Sequence, residues 1–479
     1  MLLKYFYDQA LAHASYLVGC QRTGEAVVVD PGRDIEQYLQ VAAGEGVRIV
    51  GVAETHIHAD YVSGARELAE RVGATLYVSD EGPAEWKYAY AKQYAHRLLK
   101  DGDKFSIGNV EFAVMHTPGH TPESISFVLT DKGGGADRPM GIFTGDFIFV
   151  GSIGRPDLLE EAAGIMGTAE PGARDLFKSM ARFRQLPDYL QVWPAHGAGS
   201  ACGKGLGAIP SSTVGYEKLF NPALQYRDEQ AFVDYILAEQ PEAPKYFALM
   251  KRVNKEGPAV LGGTQFPPRL PANQLLETIA DRQNIVVDTV AGKVFANAHV
   301  PGTISIETKY IAMWGGSLLD YARPIYLIAS QHDLAEVVRI LRKIGCDHIS
   351  GFFDADEVVA AGLRKDSLRQ LSPRELAEQM TQNGIELIDV RGLNERHEVM
   401  VEGSEHHFLG KMFSKPYDFE DDKTYAFVCR TGGRSVVACS VAKYLGAKNV
   451  INVSGGVVAW ERAGLPVVKQ SEANLQSVD

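Results

Sequence analysis

Four short groups stand out because their residue types and spacing could hold a metal ion: Thr55-His56-Ile57-His58-Ala59-Asp60-Tyr61, Thr117-Pro118-Gly119-His120-Thr121, Phe143-Thr144-Gly145-Asp146 and Trp193-Pro194-Ala195-His196-Gly197. Imidazole nitrogens and carboxylate oxygens are the donors that bind zinc, iron and similar ions. Each group follows an apolar run and sits beside glycine, proline or small residues. Each therefore reads as a turn just past a strand end, where α/β proteins assemble ligand sites. A lone histidine is more often structural than ligating, but these groups together point to a metal centre. His13, His96, His348, His397, His406 and His407 lack such a setting and read as ordinary, and His116 reads as the last residue of its strand. A second constellation is Cys429-Arg430-Thr431-Gly432-Gly433-Arg434-Ser435, between a predicted strand over 425–428 and a predicted helix from Ser435. A cysteine there faces backbone N–H groups and the positive end of a helix, with Arg430 and Arg434 near. Those features favour thiolate and would cradle the outer sulfur of a persulfide.

The elements that must position these groups can be read from periodicity. Up to about residue 250, short apolar runs alternate with helical patterns: Val27-Val28-Val29 stopped by Asp30-Pro31-Gly32, a strand over 47–53, an amphipathic helix over 66–72. Phe266-Pro267-Pro268-Arg269-Leu270-Pro271 breaks the pattern and reads as a linker. Two similar segments follow. The first has a strand over 285–288, then His299-Val300-Pro301-Gly302, a strand over 325–328 and a helix over 334–344 closed by Gly345. The second repeats that order with 387–391, Val401-Glu402-Gly403-Ser404, 425–428 and a helix over 435–445 closed by Gly446. Ser372-Pro373-Arg374-Glu375 opens the second copy with a cap and a proline at the first helical position. This is an internal repeat of small α/β domains. Three domains are expected, over 1–250, 265–365 and 372–470. In the middle one the loop matching the cysteine loop is Ile328-Ala329-Ser330-Gln331-His332-Asp333. It has no cysteine, arginine or glycine, and is expected to be catalytically silent.

Composition bounds the function. The chain has 479 residues, 45% hydrophobic and 23% charged, with mean hydropathy −0.12, as expected of a soluble multidomain protein. The net charge of −12 and the lack of any basic run argue against nucleic acid or an anionic membrane as partner. Five cysteines, an odd number without a CxxC pair, argue for a reducing compartment. The N-terminal residues do not read as a signal peptide, and no apolar run approaches the ~20 residues of a membrane span. A cytoplasmic location is expected. Cys20, Cys346 and Cys439 read as structural. Cys202, in a glycine-rich loop after His196 and beside Lys204, reads either as a sulfur relay of lowered pKa or as a loop residue without a role.

The histidine groups resemble the metallo-β-lactamase fold family over residues 1 to about 230. Its two-metal members carry HxHxDH; here the last position is Tyr61. A phenol, with an ordinary pKa of about 10, is a poor ligand and favours a mononuclear centre. This domain resembles the one-metal branch, the persulfide dioxygenases. That resemblance implies one Fe(2+) per domain on His56, His120 and Asp146, with zinc as the alternative metal. It puts His58, Asp60 and His196 behind the ligands or in their place. Two histidines and a carboxylate leave open positions on iron for O₂ and a sulfur substrate. Arg155 and Tyr61 are the substrate-binding candidates; Arg155 would bind a carboxylate of the thiol carrier or else form a salt bridge.

The cysteine loop, with Asp389-Val390-Arg391 before it and Gly455-Gly456-Val457-Val458-Ala459-Trp460 after it, resembles the rhodanese sulfurtransferases over about 375–470. A cysteine phosphatase is the rival, although its loop usually carries one more residue between cysteine and arginine. The expected fold class is α/β, a metallo-β-lactamase αββα sandwich followed by two rhodanese-like α/β domains. The implied activity is that of a persulfide dioxygenase–sulfurtransferase in sulfide detoxification. Its catalytic residues would be Cys429, Arg430, Arg434 and, as a relay, Cys202. Partners would be a thiol persulfide (of glutathione, coenzyme A or bacillithiol), O₂, sulfite and a second copy of the chain in a homo-oligomer. The alternatives are a zinc-dependent, glyoxalase II-like thioester hydrolase fused to a sulfurtransferase, and a non-catalytic sulfur carrier or sensor.

Overall fold

The computed structural model describes residues 1–158, 160, 166–238, 240, 242–263 and 265–469. The chain divides into two compact units, Met1–Gln265 with Arg342–Gly345, and Phe266–Leu341 with the chain from Cys346 onward. The break falls at the proline-rich stretch that reads as a linker.

In the first unit, β1 (Leu2–Asp8), β2 (His13–Cys20), β3 (Glu25–Val29), β4 (Arg48–Ala53), β5 (Thr75–Ser79) and β6 (His96–Leu99) form one sheet in that order. The second sheet is built from β7 (Lys104–Ile107), β8 (Val110–His116), β9 (Ile125–Asp131), β10 (Gly141–Gly145), β13 (Gln191–Pro194) and β14 (Ser212–Thr213); β11 (Ile148–Phe149) and β12 (Ser152–Ile153) pair separately. Side chains alternate across a strand, so one apolar run feeds two cores. In β3, Val27 and Val29 join Phe112, Phe127 and Phe143 between the sheets. Ala26 and Val28 face the other way, against Tyr38 and Leu68 of the helices Glu36–Gly44 and Ala65–Val72. On the outer side of the second sheet, Ile142 and Val192 meet Leu176, Met180 and Phe183 of the helix Ala169–Phe183. The layers run helix, sheet, sheet, helix. The expected boundary at 250 is corrected: it would cut the helix Phe247–Glu256, which belongs wholly to this unit.

In the second unit, β15 (Arg269–Leu270), β16 (Ile285–Asp288), β17 (Ile304–Ser305), β18 (Ile325–Ala329) and β19 (Ile349–Asp354) form a parallel sheet ordered β15-β19-β18-β16-β17. The following copy repeats that order with β20 (Arg369–Leu371), β21 (Ile385–Asp389), β23 (Glu405–His406), β24 (Thr424–Val428) and β25 (Asn449–Val453), as β20-β25-β24-β21-β23, while β22 (Val399–Val401) pairs separately with Val467–Lys469. Ser372 closes a capping box with Glu375, as its sequence predicts. The helix Gly433–Tyr444 has residues 435–442 all buried. A helix that is apolar all round needs a cover on both faces. Its own sheet takes one face and the preceding copy takes the other. Val436 lies against Gly292, Ser440 Oγ accepts the Ser305 N–H at 3.0 Å, and Tyr444 Oη accepts from Arg323 at 2.6 Å. The copy whose loop lacks a cysteine is thus part of the core that holds the Cys429 loop in place. Val436→Asp, which buries an unpaired carboxylate at this seam, is expected to destabilise the second unit by about 3 kcal/mol in denaturant unfolding.

Candidate metal centre and sulfur loop

The four sequence groups meet at one end of the sandwich: His56 follows β4, His120 lies between β8 and β9, Asp146 follows β10 and His196 follows β13. Ligand atoms of His56, His120 and Asp146 all lie within 4.8 Å of one another, as do those of Asp60, His196 and Cys202. Each of the three histidines has Nδ1 occupied. His56 Nδ1 lies 3.0 Å from Thr55 Oγ1, whose own hydrogen goes to Asp30 Oδ2 at 2.9 Å. The Thr55 oxygen is therefore left as an acceptor, and His56 must donate from Nδ1. His120 Nδ1 donates to the Arg155 carbonyl at 2.9 Å and His196 Nδ1 to the Ala12 carbonyl at 3.0 Å. His56 and His120 consequently present the lone pair of Nε2 to the centre, the tautomer a metal requires.

These atoms are buried and expectant. His56 Nε2, His196 Nε2 and both carboxylate oxygens of Asp146 and of Asp60 are solvent-inaccessible without a hydrogen-bond partner among the described residues. Nature rarely leaves so many polar atoms orphaned in one place, and a divalent ion would satisfy them. Asp146 lies 3.8 Å from His56 Nε2 and 3.4 Å from His120 Nε2. Burial holds the His56 ring well below the ordinary histidine range, and lowers His120 too. Both stay neutral, as ligands must. For His196 burial pulls the same way, but the Asp146 and Asp60 carboxylates outweigh it and raise its pKa well above the usual value. Gly154 has no alternative, since a Cβ there would collide with the Asp146 carbonyl and crowd His120.

His58 joins a different group. Its Nε2 sits 2.9 Å from Glu54 and 3.3 Å from Asp30, and these carboxylates raise its pKa against the lowering effect of burial. Asp30, Glu54 and His13 escape a motif-based reading. Asp30 takes a left-handed φ of 50° to hold Thr55 N at 2.7 Å; its one sequence signal is an aspartate ending an apolar strand before Pro-Gly. His13, read as ordinary, is 3% exposed with Nε2 unpartnered, and its ring lies 5.8 Å from that of His196. Nothing in its sequence neighbourhood signals this, because the β1–β2 hairpin brings it in.

Three of the expected residues are buried or committed elsewhere. Arg155 takes the salt-bridge alternative: it is fully buried, and its guanidinium grips Asp157 at 2.8 and 2.6 Å and reaches the Ala201 carbonyl. Tyr61 is also fully buried, its ring beside those of His13 and His58 and its hydroxyl donating to the Asp30 carbonyl at 3.3 Å. Lys204 does not lower the Cys202 pKa. Its ammonium binds the Tyr235 carbonyl, while burial and the Asp146 and Asp60 charges push the Cys202 thiol up to about 12.

The cysteine loop leaves β24 and turns into the helix Gly433–Tyr444. Cys429 Sγ accepts the Gly432 N–H at 3.2 Å and lies 3.5 Å from Ser435 Oγ. Gly432 adopts φ 96°, and a Cβ at Gly456 would strike the Cys429 carbonyl. Arg434, expected to act on the sulfur, spends its guanidinium on Glu395, whose carboxylate it meets at 2.7 Å. Arg430 stays exposed at the loop. Of the expected cradle, one backbone N–H, that of Gly432, is directed at Sγ, and the charge of Arg434 is balanced by Glu395. Since the Arg155–Asp157 pair is buried, Arg155→Ala is expected to cost the first unit about 3 kcal/mol in denaturant unfolding. A surface substrate-binding arginine would instead raise KM and leave stability unchanged.

Each of the two parts matches a known family. The model of the metallo-beta-lactamase superfamily matches residues 9–196, and that of the rhodanese-like domain matches residues 372–463. A crystal structure of a metallo-beta-lactamase from Staphylococcus aureus is 42% identical, covers 74% of this chain and 99% of its own, and superposes with a TM-score of 0.67. A probable metallo-hydrolase of Burkholderia pseudomallei is 30% identical over 41% of this chain and 72% of its own length. A beta-lactamase hydrolase-like protein of Xylella fastidiosa is 29% identical, and the chain spans 53% of it. The α/β fold class expected from sequence is therefore met, with a metallo-hydrolase-type sandwich fused to rhodanese-like α/β sheets. With its buried histidine–carboxylate centre at the sheet ends, the chain belongs to the metallo-beta-lactamase superfamily.

Proposed function

We propose that the chain is a persulfide dioxygenase–sulfurtransferase. The observation that carries this reading is the company kept by Asp146: two neutral, Nε2-presenting histidines, His56 and His120, within 4.8 Å and nearly sealed from water. His56, His120 and Asp146 would hold one Fe(2+). Bound there, such an ion supplies open positions at which O₂ and a sulfur anion can meet. The overall conversion balances as a thiol persulfide, dioxygen and water giving thiol, sulfite and two protons. Around it the chain's own groups orient and exclude: Thr55 and Asp30 fix the His56 ring, the Arg155 carbonyl fixes His120, and burial keeps bulk water from the reacting sulfur. His196 and Asp60, 3.1 Å apart, form a buried proton-holding pair beside the centre. Cys202 stays a thiol at neutral pH, because burial and the Asp146 and Asp60 charges oppose the thiolate.

Cys429 would carry a sulfane sulfur, with the Gly432 N–H directed at Sγ. Sulfite then takes the outer sulfur, the S–S bond breaks, and thiosulfate leaves with the Cys429 thiol restored. One chain holding both sites raises the local concentration of the shared intermediate. The second reading, a zinc thioester hydrolase, is favoured by the metallo-hydrolase name of the Burkholderia relative. Oxygen uptake separates the two. With glutathione persulfide, the iron-loaded chain is expected to consume O₂ and release sulfite, and Cys429→Ser to keep that uptake while losing thiosulfate formation. Thioester cleavage without oxygen uptake would refute the dioxygenase reading.

A further inference from the structure

The loop that carries His56, His58 and Asp60 is pinned from three sides. Asp30 holds Thr55 through its N–H and hydroxyl, and Glu123 Oε1 accepts the Ile57 N–H at 2.7 Å. The rest of the loop is held by one helix from far along the chain, Phe247–Glu256, and by the tyrosine that precedes it. Asn254 Nδ2 donates to the carbonyls of His58 at 2.8 Å and Tyr61 at 2.6 Å, and its Oδ1 accepts the Ser63 N–H at 2.9 Å. Tyr246 Oη donates to the Asp60 carbonyl at 3.1 Å. Asn254 is 2% exposed, so water cannot replace these bonds. Its orientation is not free either, because only this placement matches two acceptors and one donor.

We infer that Asn254, assisted by Tyr246, is a positioning residue for the metal centre: it sets the path of residues 58–63, directly after His56, and so the placement of Asp60 beside the centre. The four bonds address backbone groups at 58, 60, 61 and 63, which no side chain within the loop could satisfy. An asparagine is required because a carboxylate there would face the two carbonyls without a hydrogen to give. This inference rests on the metal reading of His56, His120 and Asp146, and reaches past it to a helix that no metal motif includes.

The test uses the full chain, Asn254→Asp and, as a milder change, Tyr246→Phe. Ferrous iron affinity is read by chelator competition, and site geometry by the paramagnetic resonance spectrum of the iron nitrosyl; persulfide loading of Cys429 reports that the second unit is intact. Asn254→Asp is expected to weaken iron binding about tenfold and alter the nitrosyl spectrum, and Tyr246→Phe to do the same to a smaller degree. A lower melting temperature with wild-type iron affinity and spectrum would overturn the inference, since support of the fold alone would produce it. If Asn254→Asp does not fold, Tyr246→Phe decides by the same two readings. A wild-type chain that binds no metal would instead refute the metal reading itself.

Discussion

The whole of the first site depends on where three imidazole hydrogens go. His56, His120 and His196 each donate Nδ1–H to an acceptor fixed by backbone geometry, at Thr55, Arg155 and Ala12. With those hydrogens placed and burial keeping the rings neutral, His56 and His120 face Nε2 inward with a lone pair. Thr55 can accept only because Asp30 takes its hydrogen, and Asp30 can do so only in a left-handed conformation at the end of β3. A residue in a strained backbone well, a threonine and a histidine thus act as one unit. The sandwich supplies the rigidity that keeps the unit from relaxing.

Much of this arrangement was legible in the sequence, for a physical reason. Ligands at strand ends must be followed by sharp turns, so they announce themselves beside Gly119, Gly145 and Gly197. The repeat of small parallel sheets was equally legible, because strand, crossover, strand and helix leave a period in the hydrophobic pattern. What stayed hidden was everything contributed from a distance. Asn254 lies 191 positions from Ser63, and no local pattern links them. Arg155 illustrates the converse. Its sequence setting suits a substrate contact, whereas its guanidinium is committed to Asp157, and burial is not readable from four residues.

The silent copy makes sense in the same terms. The helix that begins at the cysteine loop has no polar face to turn to water. A neighbour must bury it, and the preceding copy does so through Ser305 and Arg323. That packing role needs no cysteine in the loop over 328–333. The loop at Cys429 is therefore braced from two sides, which suits a sulfur whose reactivity depends on the fixed direction of an N–H group.

The central claim is that His56, His120 and Asp146 form a one-metal, two-histidine–one-carboxylate centre. Metal content of protein purified without air tests it most directly. One iron per chain is expected, lost in His56→Ala and Asp146→Ala while Glu54→Gln, which alters the separate His58 group, retains it. Two zinc ions per chain, or iron that survives the loss of Asp146, would contradict it.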